Sequence, residues 1–301
     1  MRIRFFNTYE PVSPFYRDLL PFLAEQGYEI EVVVSSKEYR AGRAPLAQTL
    51  AHPRIRLREI PAGKGVVNTR LAKLWAIFTY LIGATVLSLF VQGVQVNFCL
   101  TQPPLFSLWG TVLRKLRRQP YVCLVMDIYP DVAVRDGLLA ETAIVTRLIT
   151  YLARLALRQA DAVVVIGRCM ADLLVQEDID RARIRIIPNW INEDEVYPVA
   201  KENNLLRRQL GVTGEFVVLY SGNLGVSHFF DDILQAAVQL KEIPEIQFVF
   251  VGEGRRKQEV IHAKQEWQLD NVLILPFQPA DRLAESLSMG DVHFICLREG
   301  F

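Results

Sequence analysis

Short runs of β-branched and aromatic residues alternate with longer, helix-patterned stretches along almost the whole chain. Strands are predicted at 3–6, 30–34, 55–59, 96–101, 121–126, 162–166 and 185–187. Helical patterns lie between most of them, notably at 16–26, 71–91 and 143–159. Such alternation predicts an α/β fold, a mostly parallel sheet with helices on both faces. The rhythm breaks at Asn189-Trp-Ile-Asn-Glu-Asp-Glu-Val-Tyr-Pro198, and a polar stretch follows at 200–204. The domain boundary is placed there, giving domains 1–198 and 199–301. A second α/β series follows, with strands predicted at 216–221, 247–251, 272–275 and 292–295.

Two strands of the second series end in glycines. Leu219-Tyr-Ser-Gly-Asn-Leu-Gly225 and Phe248-Val-Phe-Val-Gly-Glu-Gly254 each run from a strand into a helical pattern. Glycine in such a turn lets backbone approach a phosphate, and the N–H groups of a following helix point at it. Two turns in successive units, after a complete α/β half, predict a nucleotide site between two Rossmann-like domains.

Composition narrows the class. The 301 residues are 51% hydrophobic with a formal net charge of +1, which excludes a disordered tail and a polybasic nucleic-acid binder. Cys99, Cys123, Cys169 and Cys296 are scattered, with no CxxC pair or Cys/His cluster. A structural zinc and a disulfide framework are therefore not expected, and a reducing cytosol fits. Residues 1–7 hold no apolar run long enough for a signal peptide and read as a first strand. His52, His262 and His293 have no partner spacing and read as structural. Asp178-Ile-Asp180 sits between a helix and a strand and reads as a connecting turn, so no metal site is expected.

One segment bears on the surroundings of the protein. Residues 74–91 carry no charge, with Arg70 and Lys73 just before them. A bilayer span needs about 20 apolar residues, so the segment is borderline. Thr85, Ser88 and Gln92 form a mildly polar stripe on it. It reads as a buried helix, a helix on the bilayer surface or a span. The basic cluster Arg114, Lys115, Arg117 and Arg118 supports the surface reading if it faces anionic headgroups, and is otherwise a solvated helix end.

Taken in order, Val125-Met-Asp-Ile-Tyr-Pro-Asp-Val132, Val163-Val-Val-Ile-Gly-Arg-Cys-Met170, Ile186-Ile-Pro-Asn-Trp-Ile-Asn192, Tyr220-Ser-Gly-Asn-Leu-Gly225, Phe250-Val-Gly-Glu-Gly254 and Glu299-Gly-Phe301 resemble a known family. The chain is similar over essentially its whole length to the GT-B glycosyltransferases of family 4, the retaining, nucleotide-sugar-dependent type. Within it the likeness is to bacterial exopolysaccharide enzymes of the colanic-acid type. The resemblance implies two facing Rossmann-like domains with the active site in the cleft. It also implies that the second domain is incomplete. Glu299-Gly-Phe301 matches the start of an E-x7-E motif, whose second glutamate would lie past Phe301.

The same resemblance implies site roles. Gly222, Gly225, Gly252 and Gly254 would let the backbone approach the donor diphosphate, ahead of a helix starting near Phe229. The family reinforces this loop with an arginine and a lysine, and the matching positions here are Asn223 and His228. Arg255, with Arg256 and Lys257, would supply the missing charge, although cations in a first helical turn oppose the helix dipole. Phe277 would pack on the base or in the core, and Glu299 would contact the transferred sugar. Asp127, at the end of a strand, would orient an acceptor hydroxyl or take its proton, or else cap the turn through Pro130 and Asp131. Met126 stands where the family often has a histidine. Thr101-Gln-Pro-Pro104 is placed in the same cleft, and residues 7–14 carry prolines where the family has a glycine-rich loop.

The expected function is transfer of a sugar from a nucleotide-sugar donor, with retention and without a metal or other cofactor. The acceptor is a lipid-linked saccharide, and the place is the membrane surface at the cytoplasmic face. Two rival readings are a GT-B sugar-nucleotide epimerase and a degenerate, non-catalytic partner subunit.

Overall fold

The computed structural model describes residues 1–7, 14–35, 50–60, 70–101, 105–128, 131, 134, 140 and 142–298. The chain forms two compact units, Met1–Trp190 and Ile191–Phe301. The break falls inside the Asn189–Pro198 segment, ahead of the 198/199 boundary expected from sequence.

The first unit is built on a seven-stranded sheet in the order β3-β2-β1-β4-β5-β6-β7. Its strands are β1 (Arg2–Asn7), β2 (Glu29–Ser35), β3 (Ile55–Ile60), β4 (Val96–Leu100), β5 (Tyr121–Val125), β6 (Ala162–Val165) and β7 (Ile184–Ile186). All neighbours are parallel, as helix-length crossovers require. On one face α1 (Pro14–Glu25) lays Tyr16, Leu20 and Ala24 on Phe5, Ile30 and Val32. The other face is covered by α2 (Arg70–Phe90), α3 (Leu108–Arg117), α4 (Ile144–Gln159) and α5 (Arg168–Gln176).

The strand core is apolar except for one buried row. Register sets Arg4 of β1 between Glu31 of β2 and Asn97 of β4. Arg4 Nε donates to Glu31 Oε1 at 2.6 Å, and Asn97 Nδ2 donates to Gln119 Oε1 at 3.1 Å. Cys99 and Cys123 face each other across β4 and β5 as free, buried thiols. Burial pushes both thiols up, Cys123 to about 12, so they are unreactive packing groups.

Tyr121 fastens α3 and α4 to the sheet. Its hydroxyl shares a 2.9 Å bond with Thr111 Oγ1 of α3 and donates to the Ala156 carbonyl of α4. The ring lies against Gly110, where an added Cβ would come within 2.3 Å of Cδ2. Because the hydroxyl is tied down, the ring has little room to yield. Gly110→Ala is expected to cost about 1–3 kcal/mol, read as a lower denaturant midpoint of the first unit.

The second unit has a four-stranded parallel sheet in the order β10-β9-β8-β11. Its strands are β8 (Phe216–Ser221), β9 (Ile246–Val251), β10 (Val272–Leu275) and β11 (Val292–His293), the last shorter than predicted. Helices α6 (Leu205–Gln209), α7 (Asp231–Gln239), α8 (Lys257–Glu266) and α9 (Leu283–Leu287) surround it. Asp291, just before β11, accepts from the Val217 N–H at 2.8 Å and pairs with Lys201. Burial raises the Asp291 carboxyl, but the Lys201 ammonium and the Val217 N–H outweigh it and hold the carboxyl below the ordinary 3.8. A lowered folded-state value adds stability above the unfolded value, and that stability is lost as the pH falls through the folded one. Asp291→Asn should therefore melt below the wild type at neutral pH, and the gap should close in melting scans below about pH 4.

Candidate donor site of the second unit

The ends of β8, β9 and β10 carry the sequence-predicted donor residues, and backbone bonds knit them together. The Gly222 N–H donates to the Val251 carbonyl at 2.9 Å, and the Gly252 N–H to the Leu275 carbonyl at 3.0 Å. The loop after β8 is then clasped by the loop after β9. The Leu224 N–H donates to the Glu253 carbonyl at 2.9 Å, and the Arg256 N–H returns to the Leu224 carbonyl at 3.0 Å. Leu224 itself is fully buried and serves as the plug under the loop.

Gly252 and Gly254 owe their identity to this clasp. Their φ values are +151° and +153°, a region nearly closed to other residues. A Cβ on Gly252 would lie 1.9 Å from the Gly222 carbonyl oxygen, and one on Gly254 would lie 2.2 Å from that of Leu224. Gly222 and Gly225 are looser. A Cβ on Gly222 would meet nothing nearer than the Tyr220 hydroxyl at 3.6 Å, and one on Gly225 would meet Asn223 Nδ2 at 3.0 Å.

Beneath the loop lies an aromatic bed of Tyr220, Phe230, Phe250 and Phe294, with ring centroids 5.1–6.2 Å apart. Sequence reading missed this bed, although the aromatic positions of β8 and β9 signal it. The Tyr220 hydroxyl donates to the Asn223 carbonyl at 2.7 Å, and burial pushes that phenol up to about 12. His228 is half-buried, edge-on to Tyr220 and stacked on Phe230. Its Nδ1 is enclosed without a partner among the described residues, 3.4 Å from where a Gly225 Cβ would sit. Asn223 is exposed at the rim.

The three cations after Gly254 have separate fates. Arg256 pairs with Glu259, donates to the His228 carbonyl and lies over the Phe229 ring at 5.9 Å. Lys257 pairs with Glu253 at 2.6 Å. Both thus brace the clasp. Arg255 is exposed and pairs with none of the described residues. The backbone N–H groups of Asn223, Val226, Gly254 and Arg255 likewise bond to none of the described residues. Open amides and one open guanidinium on two glycine loops are the donor types from which an anion with several oxygens accepts hydrogen bonds.

Helix α7 starts at Asp231, close to the expected start near Phe229, and its first turn carries Asp231 and Asp232. Those carboxylates occupy the positive end of the helix dipole, so the open amides of the loops are the better anion donors. Phe277, after β10, is 53% exposed and so is not a core residue. Glu299 lies outside the described residues. The last residue before it that is described, Arg298, donates its N–H to the Ser227 carbonyl at 3.0 Å.

Asp127 belongs to the first unit, in the turn after β5, where its carbonyl accepts from Thr101 Oγ1 at 3.4 Å. It lines a small hollow with Thr101, Ser107, Arg154 and Glu177. Arg154 Nη2 donates to Glu177 Oε1 at 2.6 Å, and this bond holds the guanidinium above its ordinary value. That pair joins α4 to the end of α5 and left no mark in the sequence. Pro103, Pro104 and the Thr8–Ser13 stretch lie outside the described residues. In the Asp178-Ile-Asp180 turn, Asp178 pairs with Arg158 at 3.1 Å, and Asp180 caps the Ala182 N–H at 2.9 Å. Among the described residues no three His, Cys, Asp or Glu side chains gather as a metal site.

Comparison with known proteins decides the family. Residues 12–190 match the model described as a glycosyl transferase 4-like domain. The chain belongs to this family. Residues 202–301 match the model for glycosyl transferases group 1, which covers both glycine loops. Among curated proteins, WcaI of Escherichia coli, named for colanic acid biosynthesis as a glycosyl transferase, is 30% identical over 203 residues, 66% of this chain and 50% of that protein. WbjE of Pseudomonas aeruginosa, named as a glycosyltransferase, is 30% identical over 200 residues, with the same shares of the two chains. The chain thus spans about half the length of these relatives. Among solved structures, Anabaena HepE in complex with UDP-glucose superposes with a TM-score of 0.66 at 17% identity, covering 97% of this chain and 73% of that one. Sucrose-phosphate synthase from Thermosynechococcus elongatus gives 0.67 at 17% identity, with 97% and 74% covered. The fold of the family member described here is GT-B.

Proposed function

We propose that the protein transfers a glycosyl unit from a nucleoside diphosphate sugar, with retention of anomeric configuration, to a lipid-linked saccharide. The product belongs to a bacterial surface polysaccharide, and the reaction takes place at the cytoplasmic face of the membrane. The clasped glycine loops of the second unit carry this reading. Cleaving the donor leaves a diphosphate whose growing charge needs fixed dipoles aimed at it. The open amides of Asn223, Val226, Gly254 and Arg255, together with the Arg255 guanidinium, supply such dipoles. This reading uses no metal. Gly222, Asn223, Gly225 and His228 form the loop over the diphosphate, Phe277 flanks the base and Glu299 contacts the sugar. Asp127 orients the acceptor hydroxyl, and the leaving diphosphate assists its deprotonation.

UDP-glucose is the first donor to try, because HepE was solved with it. Incubation with UDP-glucose and a polyprenyl-linked saccharide should release UDP and give an axial new linkage by proton NMR. An equatorial linkage would remove retention, and loss of turnover in EDTA would remove the metal-free reading. Arg255→Ala should weaken UDP binding about tenfold or more in calorimetry while leaving the unliganded melting temperature unchanged.

A further inference from the structure

We propose that the outer face of α2, α3 and α4 is a surface that docks on a bilayer rich in anionic lipid. The inference rests on the lipid-linked acceptor above for its purpose, while its test uses no activity. Helix α2 buries one side against the sheet and leaves a row of large apolar side chains on the other. Tyr80, Ala84 and Ser88 are buried against the sheet, and a Cβ on Gly83 would strike Ile60 Cγ2 at 2.2 Å. Trp75, Phe78, Ile82, Val86 and Phe90 are left 49–79% exposed along the opposite side. The expected polar stripe is thus corrected: Ser88 faces the core, and Thr85 Oγ1 bonds back to the Leu81 carbonyl at 2.6 Å. The helix is half buried rather than fully buried, and among the described residues no helix is long and apolar enough to cross a membrane.

The apolar face continues on the neighbouring helices. Arg117 Nη1 of α3 donates to the Leu89 carbonyl of α2 at 2.9 Å, and α3 packs on α4. Leu116 of α3 and Ile144, Leu148 and Tyr151 of α4 are each more than half exposed. Exposed apolar side chains thus recur on three helices that cover the same face of one sheet, and are not solitary.

Charge identifies the occupant. The chain as a whole balances 34 basic residues against 33 acidic ones. Yet α2, α3 and α4 hold Arg70, Lys73, Arg114, Lys115, Arg117, Arg147, Arg154 and Arg158 and not one aspartate or glutamate. Arg114 pairs with Asp161, and Arg154 and Arg158 pair with Glu177 and Asp178 of the neighbouring segment. Lys115, Arg118 and Arg147 are exposed and pair with none of the described residues. Aromatic and aliphatic side chains with free cations beside them suit an anionic bilayer interface, where the former enter the acyl boundary and the latter meet headgroups. A second copy of the chain fits poorly, because a two-fold contact would set these cations against their own counterparts.

The test is co-sedimentation of the full chain with vesicles. Binding is expected to mixed phosphatidylcholine–phosphatidylglycerol vesicles, weakened about tenfold or more with phosphatidylcholine alone or at high salt. Lys115→Glu with Arg118→Glu should weaken binding to the mixed vesicles by a similar factor, and Phe78→Ser with Ile82→Ser and Val86→Ser should remove it. All five positions are exposed, so melting temperatures should hold. The proposal is overturned if the wild type ignores the mixed vesicles, or if the serine variant binds them as the wild type does. It is also overturned if light scattering shows a vesicle-free dimer that the serine substitutions dissociate. A UDP titration of the serine variant reports separately on the transferase reading.

Discussion

Gly254→Ala is expected to lower turnover about a hundredfold and to lower the melting temperature of the second unit. The new Cβ would lie 2.2 Å from the Leu224 carbonyl oxygen and 2.5 Å from its carbon. Both are backbone atoms, and the Leu224 carbonyl is held by the Arg256 N–H at 3.0 Å, so neither swings aside as a side chain would. The φ of +153° adds strain of about 1–3 kcal/mol for any residue with a Cβ. Relief requires the two loops to part, which moves the open amides away from a shared anion. Gly222→Ala is the control. Its Cβ would find ordinary space at 3.6 Å, so stability should change little. Thermal melts and steady-state kinetics of the two variants, side by side, check the contrast. Equal melts would mean that the clasp does not hold the site.

Glu31→Ala is expected to destabilise the first unit by about 3–5 kcal/mol. Arg4 is fully buried, and its Nη1 and Nη2 have no partner among the described residues, so Glu31 is its main counterweight. Burial already lowers the Arg4 guanidinium against the pull of Glu31, which shows how costly the charge is in that place. Glu31 also draws the half-exposed Arg58 to 3.6 Å, but Arg4 is the cation that its loss leaves buried without a counterion. Replacing both members together, Arg4→Met with Glu31→Leu, should recover most of the loss, because it removes the buried charge along with its partner. Urea unfolding of single and double variants checks this. A mild single variant and a worse double one would show that the pair itself stabilises the sheet.

Much of this was legible in the sequence. Alternation located β1 through β10 to within a residue or two, because buried parallel strands must be apolar and helices must separate them. Spacing alone also held the fate of two cations, since Glu253–Lys257 and Arg256–Glu259 stand one helical turn apart. The orientation of α2 was not legible. Its few polar residues do not mark the outer side, since Ser88 is buried, and the facing is set by Tyr80, whose hydroxyl donates to the Val33 carbonyl at 2.9 Å, and by the close approach of Gly83 and Ala84 to the sheet. Nor was the role of Gly252 and Gly254, since sequence marks a glycine without saying whether a ligand or a backbone lies against it. The Arg154–Glu177 pair beside Asp127 joins residues of separate helices, which no local pattern encodes.

The central claim is that the clasped loops hold a nucleoside diphosphate. A thermal-shift titration of the full chain with UDP, GDP, ADP and dTDP, repeated on Gly254→Ala and Arg255→Ala, tests it most directly. A ligand that binds only the folded state raises the melting temperature by mass action. The account predicts that one diphosphate stabilises the wild type, with the shift smaller in Arg255→Ala and absent in Gly254→Ala. A wild type that none of the four stabilises, or a shift that survives unchanged in Gly254→Ala, would contradict it.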